Sequence, residues 1–287
     1  MLSKWEIPTR RENSGEKIIP DIADSVNRYR KENNIPDEEL LGVGIGVPGA
    51  VVKGVVNRCV NLGWGVVPIE EELSKGTGLS VKASNDANVA ALGETISGAA
   101  KGVKNAVMIT LGTGVGGGII IDGKIYEGQN SAGAEMGHVC IVKDGEHCSC
   151  GRNGCWEAYA SVTALIRQTK EAMKAHPESK MNETPIDEVN GRTAFDAMRA
   201  GDAVAKNVCD RYIEYIAEGL VDIVNVFRPE TLIIGGGICK EGDTLLVPIK
   251  NFINKYAYGG SLNPEQHIEI AKLGNDAGII GAALIHA

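Results

Sequence analysis

The sequence predicts an α/β fold, in which apolar strands alternate with amphipathic helices along the chain. Short apolar runs of strand length recur between segments that repeat apolar residues at helical spacing. Three of these runs lead into turns that contain glycine, at residues 48–49, 112–118 and 235–237. The chain has 287 residues, of which 43% are hydrophobic and 23% charged. This is ordinary for a globular enzyme and long enough for one large or two medium domains.

The first hundred residues are interpreted as strands and helices in alternation. Strands are predicted over residues 4–10, 40–52 and 79–86. The second runs into a turn at Pro48 and Gly49, and a helix over residues 88–99 follows the third, capped by Asn85 or Asp86. An amphipathic helix is predicted over residues 16–34, with Pro20 tolerated near its start. The apolar face of that helix comprises Ile18, Ile22, Val26 and Tyr29.

The rest of the chain continues the alternation. Residues 104–128 predict a strand, a glycine-rich turn, a second strand, an Asp-Gly hairpin turn and a third strand. Helices are predicted over residues 157–176 and 193–202, followed by a long helix that Pro229 ends. The apolar stripe of the long helix comprises Val208, Tyr212, Ile216, Leu220, Ile223 and Phe227. Strands over 231–238 and 267–274 and a closing helix over 275–287 complete the pattern.

Two glycine triplets match the GxGxxG pattern of dinucleotide-binding proteins. They are Gly44, Gly46 and Gly49, and then Gly112, Gly114 and Gly117. A strand follows each triplet where a Rossmann site requires a helix, so we reject a Rossmann site. A glycine-rich hairpin can still present backbone N–H groups to phosphates.

A metal site is predicted in the run from His138 to Glu157. It holds His138, Cys148, Cys150 and Cys155, a complete tetrahedral set for structural Zn²⁺ with no open position for catalysis. Three glycines, Gly145, Gly151 and Gly154, let the loop turn tightly. The alternative, a surface loop with scattered reduced cysteines, fits poorly because a polar loop has no core in which to bury them. We interpret the other cysteines, Cys59, Cys140, Cys209 and Cys239, as buried small hydrophobes.

Charge and cysteine usage exclude several classes of protein. The net charge of −8 argues against a nucleic-acid binder. Seven cysteines in a chain this long do not form a disulfide framework, which favours reduced thiols in the cytoplasm. Residues 1–10 contain no apolar segment, so we expect no signal peptide, and no run is long enough to span a membrane.

Several motifs together resemble the ROK family of sugar kinases (repressor, open reading frame, kinase), and within it the bacterial glucokinases. The resemblance covers essentially the whole chain. The motifs are VNLGW (60–64), SNDANVAALGE (84–94), ITLGTGVGGGII (109–120), AGAEMGH (132–138), CSCGRNGCWEAYAS (148–161), LIIGGGI (232–238) and LGNDAGIIGAA (273–283).

The resemblance implies an actin-like ATPase-domain (ribonuclease H-like) fold of two α/β lobes. The small lobe would comprise residues 1–105, with the closing helix 276–287 packing back on it. The large lobe, residues 106–275, would carry the zinc knuckle. The implied activity is ATP-dependent phosphorylation of a hexose, glucose by closest resemblance, in a protein that is usually a homodimer.

The resemblance also assigns sugar-site roles, and the residue chemistry agrees with them. Asp86 matches the catalytic base that takes the proton of the sugar 6-hydroxyl; without the motif, helix capping would explain a lone aspartate there. His138 would bind zinc with one ring nitrogen and a sugar hydroxyl with the other. The implied sugar-binding residues are Asn61, Asn85, Asp86, Glu135, His138 and Glu157.

The nucleotide site is implied at two glycine-rich segments. Gly112, Thr113 and Gly114 match the phosphate-facing hairpin, while Gly235, Gly236 and Gly237 match a turn of the nucleotide site. An ordinary tight turn would also explain Gly235–Gly237, although strand ends are where α/β proteins bind ligands. Mg²⁺ is expected with ATP, and no local motif identifies its ligands.

One departure from the family pattern affects the expected activity. Family members carry an N-terminal glycine-rich hairpin, D-x-G-G-T, which this sequence lacks. Residues 4–10 correspond to the family's third strand, so we expect a truncated chain that binds ATP weakly. We also expect the strand at residues 40–52 to have an open, apolar edge.

Three functions remain open from the sequence. The first is a hexose kinase, with N-acetylmannosamine or another hexose as the alternative substrate to glucose. The second is a truncated, non-catalytic sugar-binding protein. The third, a sugar-responsive repressor, is disfavoured because the sequence contains no DNA-binding domain.

Overall fold

The computed structural model describes residues 1–57 and 59–286. The chain divides into two compact units: the first contains Met1–Lys104, Gly118–Ala134 and Lys272–Ala287, and the second contains Asn105–Gly117 and Glu135–Ala271. Residues 118–134, which the sequence analysis assigns to the large lobe, therefore group with the first unit. The cause is close packing, because a Cβ at Gly118 would lie only 2.6 Å from the Cβ of Ala91.

Helices and strands alternate along the described residues, as predicted. The α-helices are α1 (Glu12–Gly15), α2 (Ile18–Glu32), α3 (Ile69–Thr77), α4 (Asp86–Ser97), α5 (Glu157–Ala160), α6 (Val162–Ala175), α7 (Thr193–Arg199), α8 (Ala203–Phe227), α9 (Asp243–Tyr256) and α10 (Asp276–Leu284). The strands are β1 (Val43–Val47), β2 (Val51–Val52), β3 (Val55–Val56), β4 (Val81–Asn85), β5 (Ala106–Leu111), β6 (Val115–Ile121), β7 (Lys124–Ile125), β8 (Thr231–Gly235) and β9 (Ile268–Ile270).

The first unit contains a parallel pair of strands, β1 and β4, in register from Val43 opposite Val81 to Val47 opposite Asn85. Within residues 1–57 and 59–286, no strand pairs with the other edge of β1. Only Val47 of β1 is fully buried, so this strand is more exposed than its apolar sequence predicts. Beside it, β2 and β3 form a short antiparallel hairpin. The buried core of this unit includes Ile18, Ile19, Val56, Trp64, Ile69 and Leu73.

Two helices of the first unit, α4 and α10, cross with their backbones in direct contact. A Cβ at Gly281 of α10 would lie 1.6 Å from the Val89 carbonyl oxygen of α4, and one at Gly93 would lie 2.3 Å from the Ala277 carbonyl oxygen. The crossing is locked by Glu94, whose fully buried carboxylate accepts the Leu273 and Ala99 N–H groups, each at 2.7 Å. The N-terminal end of α4, where Asp86 lies, therefore sits on a rigid support.

The strand predicted over residues 4–10 does not form. No regular structure occurs between residues 1 and 11. The Trp5 ring instead stacks on Tyr29 of α2, with ring centroids 4.4 Å apart, and its Nε1 donates to the Ser25 hydroxyl at 2.7 Å. A strand needs a neighbour for its backbone groups, and here the apolar side chains pack on a helix while the backbone stays exposed.

The second unit is built on the parallel strands β5, β8 and β9. Ala106 to Thr110 pair with Thr231 to Gly235, and Leu232 to Ile234 pair with Ile268 to Ile270. All five residues of β8 are buried, as expected for a central parallel strand. The predicted stripe of α8 packs inward, with Tyr212, Ile216 and Leu220 fully buried, and α8 ends at Phe227, two residues before Pro229.

The helices differ from the sequence prediction at four places, one break and three additional helices. The single helix predicted over residues 157–176 breaks at Ser161, whose extended backbone and side-chain bond to the Ala164 N–H begin α6 as a new helix. Three helices, α1, α3 and α9, have no counterpart in the sequence prediction. No helix among the described residues is both long and apolar enough to cross a lipid bilayer.

Candidate functional site

In the first unit, the end of β4 positions Asn85 and Asp86. Asn85 is the N-cap of α4: its Oδ1 accepts the Ala87 N–H at 2.9 Å and the Asn88 N–H at 3.4 Å. Its Nδ2 donates to the Gly49 carbonyl at 3.3 Å, which ties the cap to the turn after β1. The structure thus assigns the capping role to Asn85, and Asp86 becomes the first residue of the helix.

Asp86 has the features of a general base. Its side chain keeps contact with solvent, and its only side-chain hydrogen bond to another residue of the described chain is that from the Ala87 N–H, at 2.8 Å. Partial burial raises the pKa of Asp86 above its usual range, against the lowering effect of the Ala87 N–H. A carboxylate with a raised pKa binds a proton more readily, which suits proton abstraction.

Asn61 lies in the first unit, in the 3₁₀ turn Val60–Leu62. Its side chain is exposed and free to bind a ligand. The buried Trp64 stabilises this turn. Its backbone N–H donates to the Cys59 carbonyl at 3.0 Å, and its Nε1 donates to the Gly15 carbonyl at 3.3 Å.

In the second unit, the four predicted metal ligands come together. One ligand atom from each of His138, Cys148, Cys150 and Cys155 lies within 4.8 Å of the others. The Cys148 sulfur is 3.6 Å from His138 Nδ1, and the Cys150 and Cys155 sulfurs are 3.6 Å apart. Because Nδ1 faces the sulfurs, the Nε2 atom of the ring is left for a second partner.

The chemistry of this cluster fits a divalent cation. Burial, followed by contact with Cys150 and Cys148, raises the pKa of the Cys155 thiol to about 12, whereas the Arg152 N–H lowers the pKa of Cys150. A zinc ion between the sulfurs would reverse the rise, because a coordinating thiol is deprotonated. The donor set and its tight spacing therefore suit Zn²⁺.

Backbone pairing holds the loop in this shape. Cys140 lies opposite Cys155, and His147 opposite Asn153, in two antiparallel bridges. Gly154 has a φ of +82°, and a Cβ there would lie 1.8 Å from the Val142 carbonyl oxygen, so this position requires glycine.

Glu135 precedes a 3₁₀ turn that ends at His138 and packs on β6. The turn is Met136–His138, and the His138 N–H bonds to the Glu135 carbonyl at 3.0 Å. A Cβ at Gly137 would lie 2.2 Å from the Val115 carbonyl oxygen, so the turn backbone rests directly on the start of β6. The Glu135 side chain is exposed and the His138 ring is half-buried.

Glu157 links the cysteine loop to the glycine-rich hairpin. Its Oε2 accepts the Val115 N–H at 3.0 Å, and its Oε1 lies 3.3 Å from the Ser149 hydroxyl and 3.7 Å from the Cys148 sulfur. A Cβ at Gly114 would lie 2.4 Å from Glu157 Oε2, so the hairpin leaves room for the carboxylate only because residue 114 is glycine.

The hairpin at Gly112–Gly114 is held by the start of α6. The Val162 N–H donates to the Gly112 carbonyl at 2.8 Å, and the Thr163 hydroxyl donates to the Thr113 carbonyl at 2.8 Å. The N–H groups of Thr113 and Gly114 donate to no acceptor within residues 1–57 and 59–286. Two adjacent donors held in this way can bind a phosphate oxygen.

Gly235, Gly236 and Gly237 follow β8, beside the end of β5. Gly236 has a φ of +108°, and a Cβ there would lie 2.0 Å from the Leu111 carbonyl oxygen, so a side chain is excluded on two grounds. Both glycine-rich segments therefore lie at the carboxyl ends of adjacent parallel strands, where α/β sheets bind ligands.

The sequence analysis missed Thr163, Val162 and Ser149, which position the hairpin and Glu157. The signal for the first two was available: a serine at residue 161 followed by helical residues is a helix N-cap pattern. The prediction of one continuous helix over residues 157–176 is wrong here, because α6 begins after Ser161 and its first turn contacts the hairpin.

Comparison with known proteins identifies the family. The ROK family model matches residues 1–287. The chain belongs to the ROK family. It is 39% identical to the glucokinase of Halalkalibacterium halodurans, across 98% of this chain and 86% of that protein. It is 38% identical to the glucokinase of Streptomyces coelicolor, across 99% of this chain and 89% of that one.

A solved structure supports the same assignment. The ROK family glucokinase of Streptomyces griseus, crystallised with glucose and AMPPNP, superposes with a TM-score of 0.81. It is 35% identical, with 99% of this chain and 91% of that chain covered. The predicted α/β fold of the actin-like ATPase and sugar kinase class is confirmed.

Proposed function

We propose that this chain is an ATP-dependent glucokinase, which transfers the γ-phosphoryl group of ATP to the 6-hydroxyl of glucose. The observation that carries the proposal is the similarity to glucokinases across almost the whole chain, 39% identity over 286 residues in one case. The chain also keeps a carboxylate at the end of β4 and a glycine-rich hairpin with two available N–H donors.

In this proposal, Asp86 is the catalytic base. It accepts the proton of the glucose 6-hydroxyl while that oxygen forms a bond to the γ-phosphorus and the bond to the ADP oxygen breaks. Its raised pKa favours proton uptake, and its position at the rigid end of α4 fixes the carboxylate in place.

The sugar is recognised by amide, carboxylate and imidazole side chains. We assign hydroxyl contacts to the amides of Asn61 and Asn85, which both donate and accept, and to the carboxylates of Glu135 and Glu157. His138 contributes its Nε2, because Nδ1 faces the cysteine sulfurs.

The nucleotide is held by backbone groups. The N–H groups at Gly112–Gly114 face the phosphates, and Gly235–Gly237 lie against the nucleotide at the end of β8. ATP acts as its Mg²⁺ complex, as in phosphoryl transfer generally.

We assign a structural Zn²⁺ to His138, Cys148, Cys150 and Cys155. The ion orients the His138 ring and fixes the loop that ends at Glu157, and four protein ligands leave it no catalytic position. We further propose a homodimer in the cytoplasm, where all seven cysteines remain reduced; the structure contains them as free thiols.

The test is glucose-dependent ADP release, measured with the purified chain and with Asp86→Asn as the matched control. Turnover with glucose that the control lacks supports the proposal. Glucose binding in a calorimeter without ADP release would refute it and leave a non-catalytic sugar-binding protein. Faster turnover with N-acetylmannosamine than with glucose would show that N-acetylmannosamine is the preferred substrate.

A further inference from the structure

A fourth cysteine, Cys140, lies beside the three cysteines of the proposed zinc site and is not one of its ligands. Cys140 lies opposite Cys155 in an antiparallel bridge. The hydrogen bonds that flank the pair run from the Trp156 N–H to the Val139 carbonyl, at 2.8 Å, and from the Ile141 N–H to the Gly154 carbonyl, at 2.9 Å. Neither cysteine bonds to the other through its own backbone, which makes this a non-hydrogen-bonded pair.

This geometry brings the two cysteines within reach of a disulfide. Residues in a non-hydrogen-bonded pair have Cα atoms about 4.5 Å apart and side chains on the same face. Disulfides form between Cα atoms about 4.4–6.8 Å apart. The Cys140 sulfur contacts the partner strand, at 3.9 Å from the Asn153 carbonyl oxygen.

The two thiols differ in access. Cys140 is half-buried and bears no metal, whereas Cys155 is fully buried within the ligand cluster. Of these two thiols, Cys140 is the more accessible to a small oxidant in solvent, and Cys155 lies directly across the bridge. Cys150 is more exposed than either, but it is a ligand of the proposed zinc ion.

We propose that Cys140 and Cys155 form a peroxide-sensitive disulfide site that releases the zinc ion. Hydrogen peroxide oxidises the Cys140 thiol to a sulfenic acid, its O–O bond breaks, and one water leaves. The Cys155 thiolate then attacks the Cys140 sulfur, the S–S bond forms, and the sulfenic oxygen leaves as a second water after taking up a proton. The two sulfurs lose two electrons in all, and the two peroxide oxygens gain them.

The bond would affect the sugar site through the metal. Once Cys155 is consumed, the cluster retains three of its four ligands, and zinc is held weakly. Glu157 follows Cys155 by two residues and contacts Cys148 and Ser149 of the same loop. Its position then depends on a loop without its ion, so sugar binding falls until a thiol reductant restores both thiols.

The experiment treats the purified chain with hydrogen peroxide and follows zinc release with a chromogenic chelator. Peptide mapping without reductant identifies the disulfide. The inference rests on the proposed zinc site, so metal content is measured first. We expect a Cys140–Cys155 cross-link, zinc release at the same rate, and recovery of both after addition of dithiothreitol and zinc.

Two variants separate this pairing from general oxidation. Cys140→Ser should keep its zinc and its turnover before treatment and release zinc more slowly during it. Cys209→Ala removes a buried core cysteine outside the loop and should behave as the wild type. A Cys150–Cys155 cross-link in the wild type, or Cys140 that stays alkylatable after zinc has left, would overturn the proposal. If the purified chain contains no zinc, the metal assignment is refuted. The disulfide found by peptide mapping then still tests whether Cys140 pairs with Cys155.

Discussion

Replacement of Gly114 by alanine should weaken glucose binding without unfolding the protein. The added Cβ would lie 2.4 Å from Oε2 of Glu157, and ordinary contacts begin at 3.4 Å, so the carboxylate has to retreat by about 1 Å. The clashing atom is the end of a flexible side chain, which moves at little cost in stability. The movement breaks the 3.0 Å bond from the Val115 N–H and displaces the carboxylate from its position.

The size of the effect follows from the lost interaction. A hydrogen bond to a charged group contributes about 1.5–3 kcal/mol. If Glu157 loses one such bond to a sugar hydroxyl, the glucose Kd and KM rise about 10- to 100-fold. The ATP KM should change less, because Gly114 keeps its backbone N–H.

Gly112→Ala is the matched control for this experiment. A Cβ at Gly112 meets no atom within 4 Å, and its backbone conformation is one that alanine adopts. We expect a normal glucose KM for this variant, whatever happens to its ATP KM. Glucose KM is measured by coupled ADP release, glucose Kd by calorimetry, and folding by thermal melting. Wild-type glucose affinity in a folded Gly114→Ala protein would show that Glu157 does not bind the sugar from this position.

Three further predictions concern the base, the metal and the helix crossing. Asp86→Asn should lower kcat about 10²–10⁴-fold while glucose affinity is retained. Because burial raises the pKa of Asp86, its charged form is disfavoured in the folded state at neutral pH, so the variant should melt no lower than the wild type. The kcat of the wild type should fall with decreasing pH through that raised pKa, and a profile without this fall would remove Asp86 from the base role. Purified protein should contain one zinc per chain, and a chelator that removes it should lower the melting midpoint; three freely titratable thiols in the native loop would contradict the site. Gly281→Ala should destabilise strongly, since its Cβ would lie 1.6 Å from the Val89 carbonyl oxygen, whereas Gly278→Ala meets nothing within 4 Å and should be neutral or stabilising by up to about 1 kcal/mol. Equal melting midpoints for these two alanine variants would refute the close crossing.

Local chemistry explains the parts of the fold that the sequence predicts. Asp122 and Gly123 have φ values of 51° and 76°, the conformation of the tight Asp-Gly turn expected between β6 and β7. Asn85 caps α4 because its side chain reaches the next N–H groups along the chain. In both cases a few adjacent residues determine the conformation, so the sequence alone is sufficient to predict it.

The errors arise where distant partners decide the structure. Residues 4–10 have a strand-like composition, but Trp5 finds its partners on α2, about twenty residues away. Helix α3 buries only Ile69, Leu73 and Thr77, a narrow apolar stripe, and α9 contains Pro248 in its interior, a residue that usually ends helices. The apolar stripe of α3 is short, and in α9 Pro248 interrupts the stripe of Leu245, Ile249 and Ile253, so the local signal is incomplete in both helices.

The candidate site shows the same division. The four cysteine and histidine positions lie within eighteen residues of each other, and their spacing is sufficient to predict that they converge. The contacts of Glu157 with Val115, 42 residues away, and of Thr163 with Thr113, 50 residues away, depend on the tertiary fold. No local pattern encodes such pairs, so a motif can name Glu157 without revealing what holds it.

The hydrogen bonds from the start of α6 to the hairpin at Gly112–Gly114 affect the free energy of nucleotide binding at the proposed site. The Gly112 and Thr113 carbonyls are bound from one side, so the peptide planes of the tip are fixed before any ligand arrives. Ordering the backbone of one residue costs about 1–2 kcal/mol of conformational entropy. For residues 112–114 this amounts to roughly 3–6 kcal/mol, equivalent to about a 10²- to 10⁴-fold loss of affinity if the ordering occurred on binding. Since these hydrogen bonds order the loop in the folded chain, nucleotide binding does not include this cost.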